Sequence, residues 1–395
     1  MSIINSELLC LLHELETIDT YKQCSFLVSH SEYNVAMKRR SFLSLSAAIM
    51  PAVLPSSGYA AASLSQSRPL TVSAFGGVFQ EAFTSYVANK FTEETGISVN
   101  VVSQSLDDTW VFGIANAVRN GLTPVDLTIL TRSQIIRLER IGGMLQPFSK
   151  ASLKNLTGLQ DKYINEGDGG ITGVGTMAWF INLVTNTSAT AGQPVVSWKE
   201  VFESPQFKNR IGLQGFYNGG LLETLANVYL DGNSSLETDE GLREVFALLR
   251  KIKPRIKLWW TGESQMEQGL RSGDIVTGMY PHDVALLLGE KGLPVTSVFP
   301  NECAYMGIGY FACPATSPHL NSAERFVDFC LKPEIQVEYA RKMKLSPVLP
   351  FDDLSLTQME YEKVSTLGKV VTPASQVMVD RASDMQKMWQ RALTR

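Results

Sequence analysis

Strand and helix alternate twice along this chain, and that alternation leaves few folds open to it. Leu70-Thr-Val-Ser-Ala-Phe75 carries apolar side chains at alternate positions and stops at Gly76-Gly77, the pattern of a strand entering a tight turn. Phe79, Phe83, Val87 and Phe91 then recur at helical spacing as far as Gly96. A strand from Ile97 to Val102, a helix from about Asp107 to Arg119, a strand from Val125 to Leu130 and a helix from about Ser133 to Arg140 follow. The alternation returns with the helical stripe Leu242, Val245, Phe246, Leu249 and Ile252, a helix at Met266–Leu270, a strand at Ile275–Met279 and a helix at Val284–Leu288. Strands separated by helices pair in parallel with helices on both faces, so the chain predicts two α/β units. Ligands collect at the carboxyl ends of such strands, which directs attention to the loops near Phe75, Thr131 and Tyr280.

Ahead of the first strand, residues 37–63 read MKRRSFLSLSAAIMPAVLPSSGYAAAS. Lys38, Arg39 and Arg40, an apolar run from Phe42 to Leu54 and the alanines at 60–62 are the three parts of an export signal. Arg39-Arg40-Ser41-Phe42-Leu43 is similar to a twin-arginine signal, with a Sec signal as the rival. Pro51 and the serines cut the run short of the roughly 20 apolar residues that a membrane span needs. The expectation is translation from Met37, a cleavable signal at about 37–62, a periplasmic protein, and an upstream extension at 1–36.

Composition narrows the chemistry. A net charge of −4 without long single-sign runs gives no footprint for nucleic acid. Beyond the signal only Cys303, Cys313 and Cys330 remain, without metal-type spacing; a Cys303–Cys313 disulfide is open in an oxidising compartment, with buried thiols the preferred reading. The histidines form no ligand pair, and neither metal nor cofactor is expected. Gly76-Gly77 lacks the third glycine of a dinucleotide fingerprint, and the phosphate-loop lysine, G-x-S-x-G and H-E-x-x-H are all missing. Glu263, His282 and Asp283 are the acid–base candidates for an enzyme reading; Asp283 reads equally as a helix cap. Of Trp259-Trp260, neighbours that point to opposite faces, Trp260 is expected in a cleft and Trp259 in the core.

Three segments carry a resemblance: VSWKEVFESPQFKNRIGL (195–213), MEQGLRSGDIVTGMYPHDVALLLGEKGLPVTSVFP (266–300) and FACPATSPHLNSAERFVDFCLKPEIQVEYARKMKLSPV (311–348). Together they resemble the solute-binding proteins of polyamine-type ABC importers, from about Pro69 onward. The resemblance implies the two-lobed periplasmic-binding-protein fold, each lobe a mostly parallel sheet flanked by helices. The chain would cross between lobes near 179–186 and return near 307–313. The division implied is 68–180 for the first part of one lobe, 181–306 for the other, 307–349 for the return, and 350–395 for C-terminal helices packing on the lobes.

The function implied is capture of a small solute by hinge closure, without chemistry, and delivery to a membrane permease. A monomer is the class expectation. Carried over position by position, the pocket residues are Phe75, Gly77, Phe79, Thr131, Arg132, Trp179, Phe216, Tyr217, Trp260, Tyr280, Tyr305 and Met306. Polyamine binders place acidic residues in the loop after the SW…GL segment and near the return strand, where this chain reads Gln214-Gly-Phe-Tyr-Asn218-Gly and Met306-Gly-Ile-Gly309. A buried polycation without counter-charge is costly, so a small zwitterion or acid, paired with Arg132, is preferred to a polyamine. The ferric-binding relatives, a rival class, use adjacent tyrosines; no Tyr-Tyr pair occurs here.

Overall fold

The computed structural model describes residues 68–105, 108–167 and 169–394; the expected extension and export signal, 1–36 and 37–62, lie outside the described residues. The chain opens with β1 (Leu70–Phe75), α1 (Val78–Phe83), a π-helical stretch (Thr84–Ala88), α2 (Asn89–Thr95), β2 (Val99–Gln104), α3 (Asp108–Arg119), β3 (Thr128–Leu130) and α4 (Arg132–Ile141). The short strands β4 (Leu145–Gln146) and β5 (Ile164–Gly167) lead to the long β6 (Gly170–Asn186). Then come α5 (Trp198–Glu203), β7 (Ile211–Gln214), α6 (Leu221–Tyr229), α7 (Asp239–Ile252), β8 (Ile256–Trp260), α8 (Glu263–Ser272), β9 (Thr277–Pro281), α9 (His282–Glu290) and β10 (Val295–Val298). The long β11 (Ala304–Pro314) precedes α10 (Leu320–Cys330), α11 (Pro333–Glu338), α12 (Gln358–Val364), β12 (Val370–Val371), α13 (Ser375–Asp380) and α14 (Ala382–Thr394).

The expected strand at 125–130 is regular only from Thr128. Asp126 turns its carboxylate back to accept the Thr71 N–H at 2.9 Å and both Arg68 guanidinium nitrogens at 2.8 Å, leaving a single Val72–Leu127 bridge to β1. Elsewhere the expected elements are present with ends moved by a few residues, as for β9, which runs Thr277–Pro281.

β1 pairs β2 in parallel, and β7 pairs both β8 and β9 in parallel. β6 and β11 lie between these two groups, antiparallel to each other from Tyr305–Ile181 to Phe311–Val174. The sheets are therefore parallel in their β-α-β parts and antiparallel where the two long strands pair with each other, while β11 also pairs β12 in parallel.

The apolar side chains divide where these strands cross. Phe180 packs with the cluster built on β1, α2, β3 and α10, whereas Ile181 packs with the cluster built on β7, α6 and α7. On the return strand Tyr305 belongs to the second cluster and Met306 to the first. The chain changes sides again between Val364 and Val371, so α12 packs with the first lobe and α13 and α14 with the second. A third, smaller cluster lies under β8, α8 and α9.

The segments that carried the resemblance are staples of this fold. Ser197 caps α5 by accepting the Glu200 N–H, while the Glu302 carboxylate accepts from the Ser197 hydroxyl and the Trp198 N–H. Trp198 is then wholly buried, donating its indole N–H to Cys303 O at 2.9 Å. On α10, Ala323, Phe326, Val327 and Cys330 form the inward stripe, and Phe326 meets Phe91 edge-on at 4.9 Å. Cys303, Cys313 and Cys330 are buried free thiols.

Candidate functional site

The carboxyl ends of β1 and β3 in the first lobe, and of β7, β8 and β9 in the second, are where a solute between lobes would be met. The crossing strands contribute Trp179, half-buried and packed against both main clusters. Its indole lies over Gly307 and Gly309 of β11, where no side chain intervenes. Phe75, at the end of β1, meets Trp179 edge-on at 5.8 Å and Phe79 at 5.4 Å. Gly77 is exposed at φ 70°, a conformation that suits glycine, and it precedes α1 without a side-chain cap. Thr131 caps α4 in a reciprocal capping box with Gln134. Arg132 is exposed beside the Tyr310 phenol, which burial pushes up to about 12 against the pull of that guanidinium.

In the second lobe, Phe216 meets Trp260 edge-on at 6.2 Å, and Trp260 meets Tyr280 at 5.9 Å. The Tyr280 hydroxyl donates to Glu263 O at 3.1 Å. Glu263 opens α8 and Asp283 lies in the first turn of α9, each just beyond a strand's carboxyl end. Both carboxylates are held above the ordinary range. For Glu263 the cause is burial; for Asp283 it is burial first and the Glu263 charge second, reaching about 7. Asp283 Oδ1 is buried without a hydrogen-bond partner, and among the described residues neither carboxylate forms an ion pair. The helix N-termini partly offset the charge. What results is an acidic corner against an aromatic wall, an arrangement suited to an organic ammonium.

Across the cleft, Arg137 of α4 directs Nη2 to the Tyr217 hydroxyl at 3.4 Å and to Asp108 Oδ2 at 3.5 Å. Its Nε is buried without an acceptor. Tyr217 packs with the second-lobe cluster, so this contact joins the lobes, as does the Arg140–Asp380 ion pair between α4 and α13.

Several expectations need adjustment. Trp260 is 3% exposed and donates its N–H to Met279 O at 3.1 Å, so it backs the wall behind the half-buried Phe216. Trp259 packs on Trp389, away from Trp260, as the alternation required. Tyr280 is fully buried, and Met306 is buried in the first-lobe cluster beside the crossing. Tyr305 packs its ring on Gly220. Arg132 is exposed on α4, and Arg137 and Arg140 of the same helix are guanidinium groups that meet the second lobe. Carboxylates stand on α8 and α9, as Glu263 and Asp283, rather than in the two loops compared with the polyamine binders. His282 turns away from Asp283: Nδ1 meets Ser297 Oγ and Nε2 meets Lys363 O, each at 2.8 Å, and burial lowers its pKa to about 4. A concavity of about 440 Å³ lined by Pro194, Phe207, Arg210 and Val276 sits at the opposite, amino ends of β7 and β9. No helix among the described residues is long and apolar enough to cross a membrane.

Residues 87–352 match the family described as "Bacterial extracellular solute-binding protein". Among curated relatives, the "Gamma-aminobutyric acid-binding protein" of Pseudomonas aeruginosa is 25% identical over 45% of this chain and 50% of its own length. The chain thus spans about half the length of that relative. The "Spermidine/putrescine-binding periplasmic protein" of Salmonella typhimurium is 21% identical over 64% of this chain and 70% of its own. Among solved structures, an ABC transporter substrate-binding protein from Bradyrhizobium japonicum USDA 110 superposes with a TM-score of 0.71 at 17% identity, covering 82% of this chain and 99% of that one. The fold they share is the two-lobed one.

Proposed function

The chain belongs to the bacterial extracellular solute-binding protein family, and from that premise we propose that it captures a small organic amine between its lobes in the periplasm and delivers it to the permease of an ABC importer. Binding is its whole task. The solute contributes contacts to both lobes at once, and those contacts exist only when the lobes are closed; a ligand shifts a conformational equilibrium only by such differential contacts. The names of two relatives, one binding γ-aminobutyric acid and one binding spermidine or putrescine, support an amine as the common element.

The observation that carries the reading is the Glu263–Asp283 corner. Two half-buried or buried carboxylates without a cation, beside Tyr280, are costly to hold in an empty protein. An ammonium placed there supplies the missing charge and donates to Asp283 Oδ1.

The test is thermal stabilisation of the purified protein by a panel of amines, amino acids and small acids. A ligand at 100 times its dissociation constant adds about 2.7 kcal/mol. Amine-bearing members are expected to stabilise the protein and contract it in solution scattering, and Asp283→Asn to abolish both effects. A panel without any stabilisation or contraction overturns the reading.

A further inference from the structure

We propose that Arg137 is the anion-recognising pole of the cleft, so that the solute is a zwitterion whose ammonium lies in the Glu263–Asp283 corner and whose carboxylate faces α4. The inference rests on the receptor reading above and adds to it the class of solute.

The first support is the unused capacity of the guanidinium. Arginine presents five donors in a rigid fork. Here Nη2 serves both protein partners, at 3.4 and 3.5 Å, the long end of useful contact. Nε has no acceptor and is buried. A buried, charged donor without a partner is uncommon, and a carboxylate is the group that fits a guanidinium edge in bidentate fashion.

The second support is the separation of charge between lobes. The unpaired carboxylates stand on α8 and α9 of the second lobe, and Arg137 stands on α4 of the first. Tyr217, which Arg137 reaches, directly follows Phe216, the outer member of the aromatic wall. A solute with both poles meets the unpaired carboxylates of one lobe and the donors of Arg137 on the other as the lobes close. A diamine would bring its second cation towards Arg137, and a simple acid would bring its charge towards Glu263 and Asp283. Asp108 meets Arg137 at Nη2 at 3.5 Å, and the solute's carboxylate shares the guanidinium with it.

The test is calorimetric titration of ω-amino acids with three- to six-carbon chains, alongside the diamines and monocarboxylates of matching length. Wild-type protein is expected to bind at least one ω-amino acid more than about 10-fold tighter than the diamine and the monocarboxylate of the same length. Arg137→Met should weaken that amino acid by about 10- to 100-fold, the scale of a charged hydrogen-bonded pair, and change diamine binding less than threefold. Arg137→Lys keeps the charge and loses the fork, and should fall between the two; it stands in if the methionine variant does not fold. A diamine that binds wild-type protein as tightly as the amino acid overturns the inference, as does an equal loss of both ligands in the variants. In either case binding persists and the receptor reading stands. If no compound of any class binds or contracts the protein, the receptor reading fails and this inference with it.

Discussion

Gly307 lies flat against Trp179: a Cβ at Gly307 would stand 2.6 Å from the indole. Real Cβ atoms do not approach so closely, and Trp179 is also held edge-on by Phe75 at 5.8 Å, so the ring has little room to yield. Gly307→Ala is therefore expected to cost about 1–3 kcal/mol, the range for overpacking, read as a lowered denaturant midpoint. Trp179→Phe in the same chain should recover part of the loss, because the smaller ring vacates the contact. Additive losses in the double variant would refute the contact as the cause.

Asp283 and His282 are neighbours whose pKa values are displaced in opposite directions, with opposite effects on stability. His282 falls from 6.5 to about 4 on folding. Between those values the unfolded chain binds the proton and the native one does not, so this residue makes stability rise with pH. Asp283 climbs from 3.8 to about 7; across the same window the native protein holds the extra proton, so its contribution falls as pH rises. At 1.36 kcal/mol per unit, His282 and Asp283 are worth on the order of 3 and 4 kcal/mol respectively, and in wild-type protein they largely offset. Asp283→Asn should expose a steep loss of stability on acidification from about pH 6.5 to about pH 4. His282→Gln should expose the opposite slope, and denaturant midpoints across the window are the readout. Parallel pH profiles for both variants would contradict the assignment.

How much of this was legible in the sequence depends on the range of the signal. Phe79 and Phe83 were readable because residues four apart share a helix face, and they do stack, at 6.1 Å. The resemblance implied a crossing at Trp179–Asn186, and along β6 the cluster membership changes between Phe180 and Ile181. The Glu263–Asp283 pair was not legible as a binding corner. The two lie twenty positions apart and meet only because β8 and β9 both flank β7, an order that periodicity does not encode. Arg132 was carried over for its place after the third strand, and Arg137 gave no signal of its own. The direction in which α4 leans towards Tyr217 and α13 is a tertiary fact, carried by Arg140 and Asp380 as much as by Arg137.

The buried thiols predict chemical silence. Burial pushes Cys303 up to about 11 and both Cys313 and Cys330 up to about 12, and the thiolate is the reactive form. A maleimide applied to native protein at neutral pH should leave the peptides containing these three residues unmodified by mass spectrometry, and should label all three after denaturation. Rapid native labelling of any one would mean that its surroundings open locally.

Arg137 and Tyr217 belong to different lobes, so the 3.4 Å contact between them is lost when the lobes separate. The Tyr217 ring is 8% exposed within the second-lobe cluster. Tyr217→Phe keeps that packing and removes only the hydroxyl, so the ligand-free protein should unfold within about 0.5 kcal/mol of wild type, as for a change that leaves the core filled. The closed, liganded form should lose about 0.5–1.5 kcal/mol, the net worth of one hydrogen bond, which is roughly a 2- to 10-fold weaker affinity. Titration calorimetry and urea unfolding of the same variant measure the two quantities separately. A fall in unfolding stability equal to the loss in affinity would place the hydroxyl's role within the second lobe instead of across the cleft.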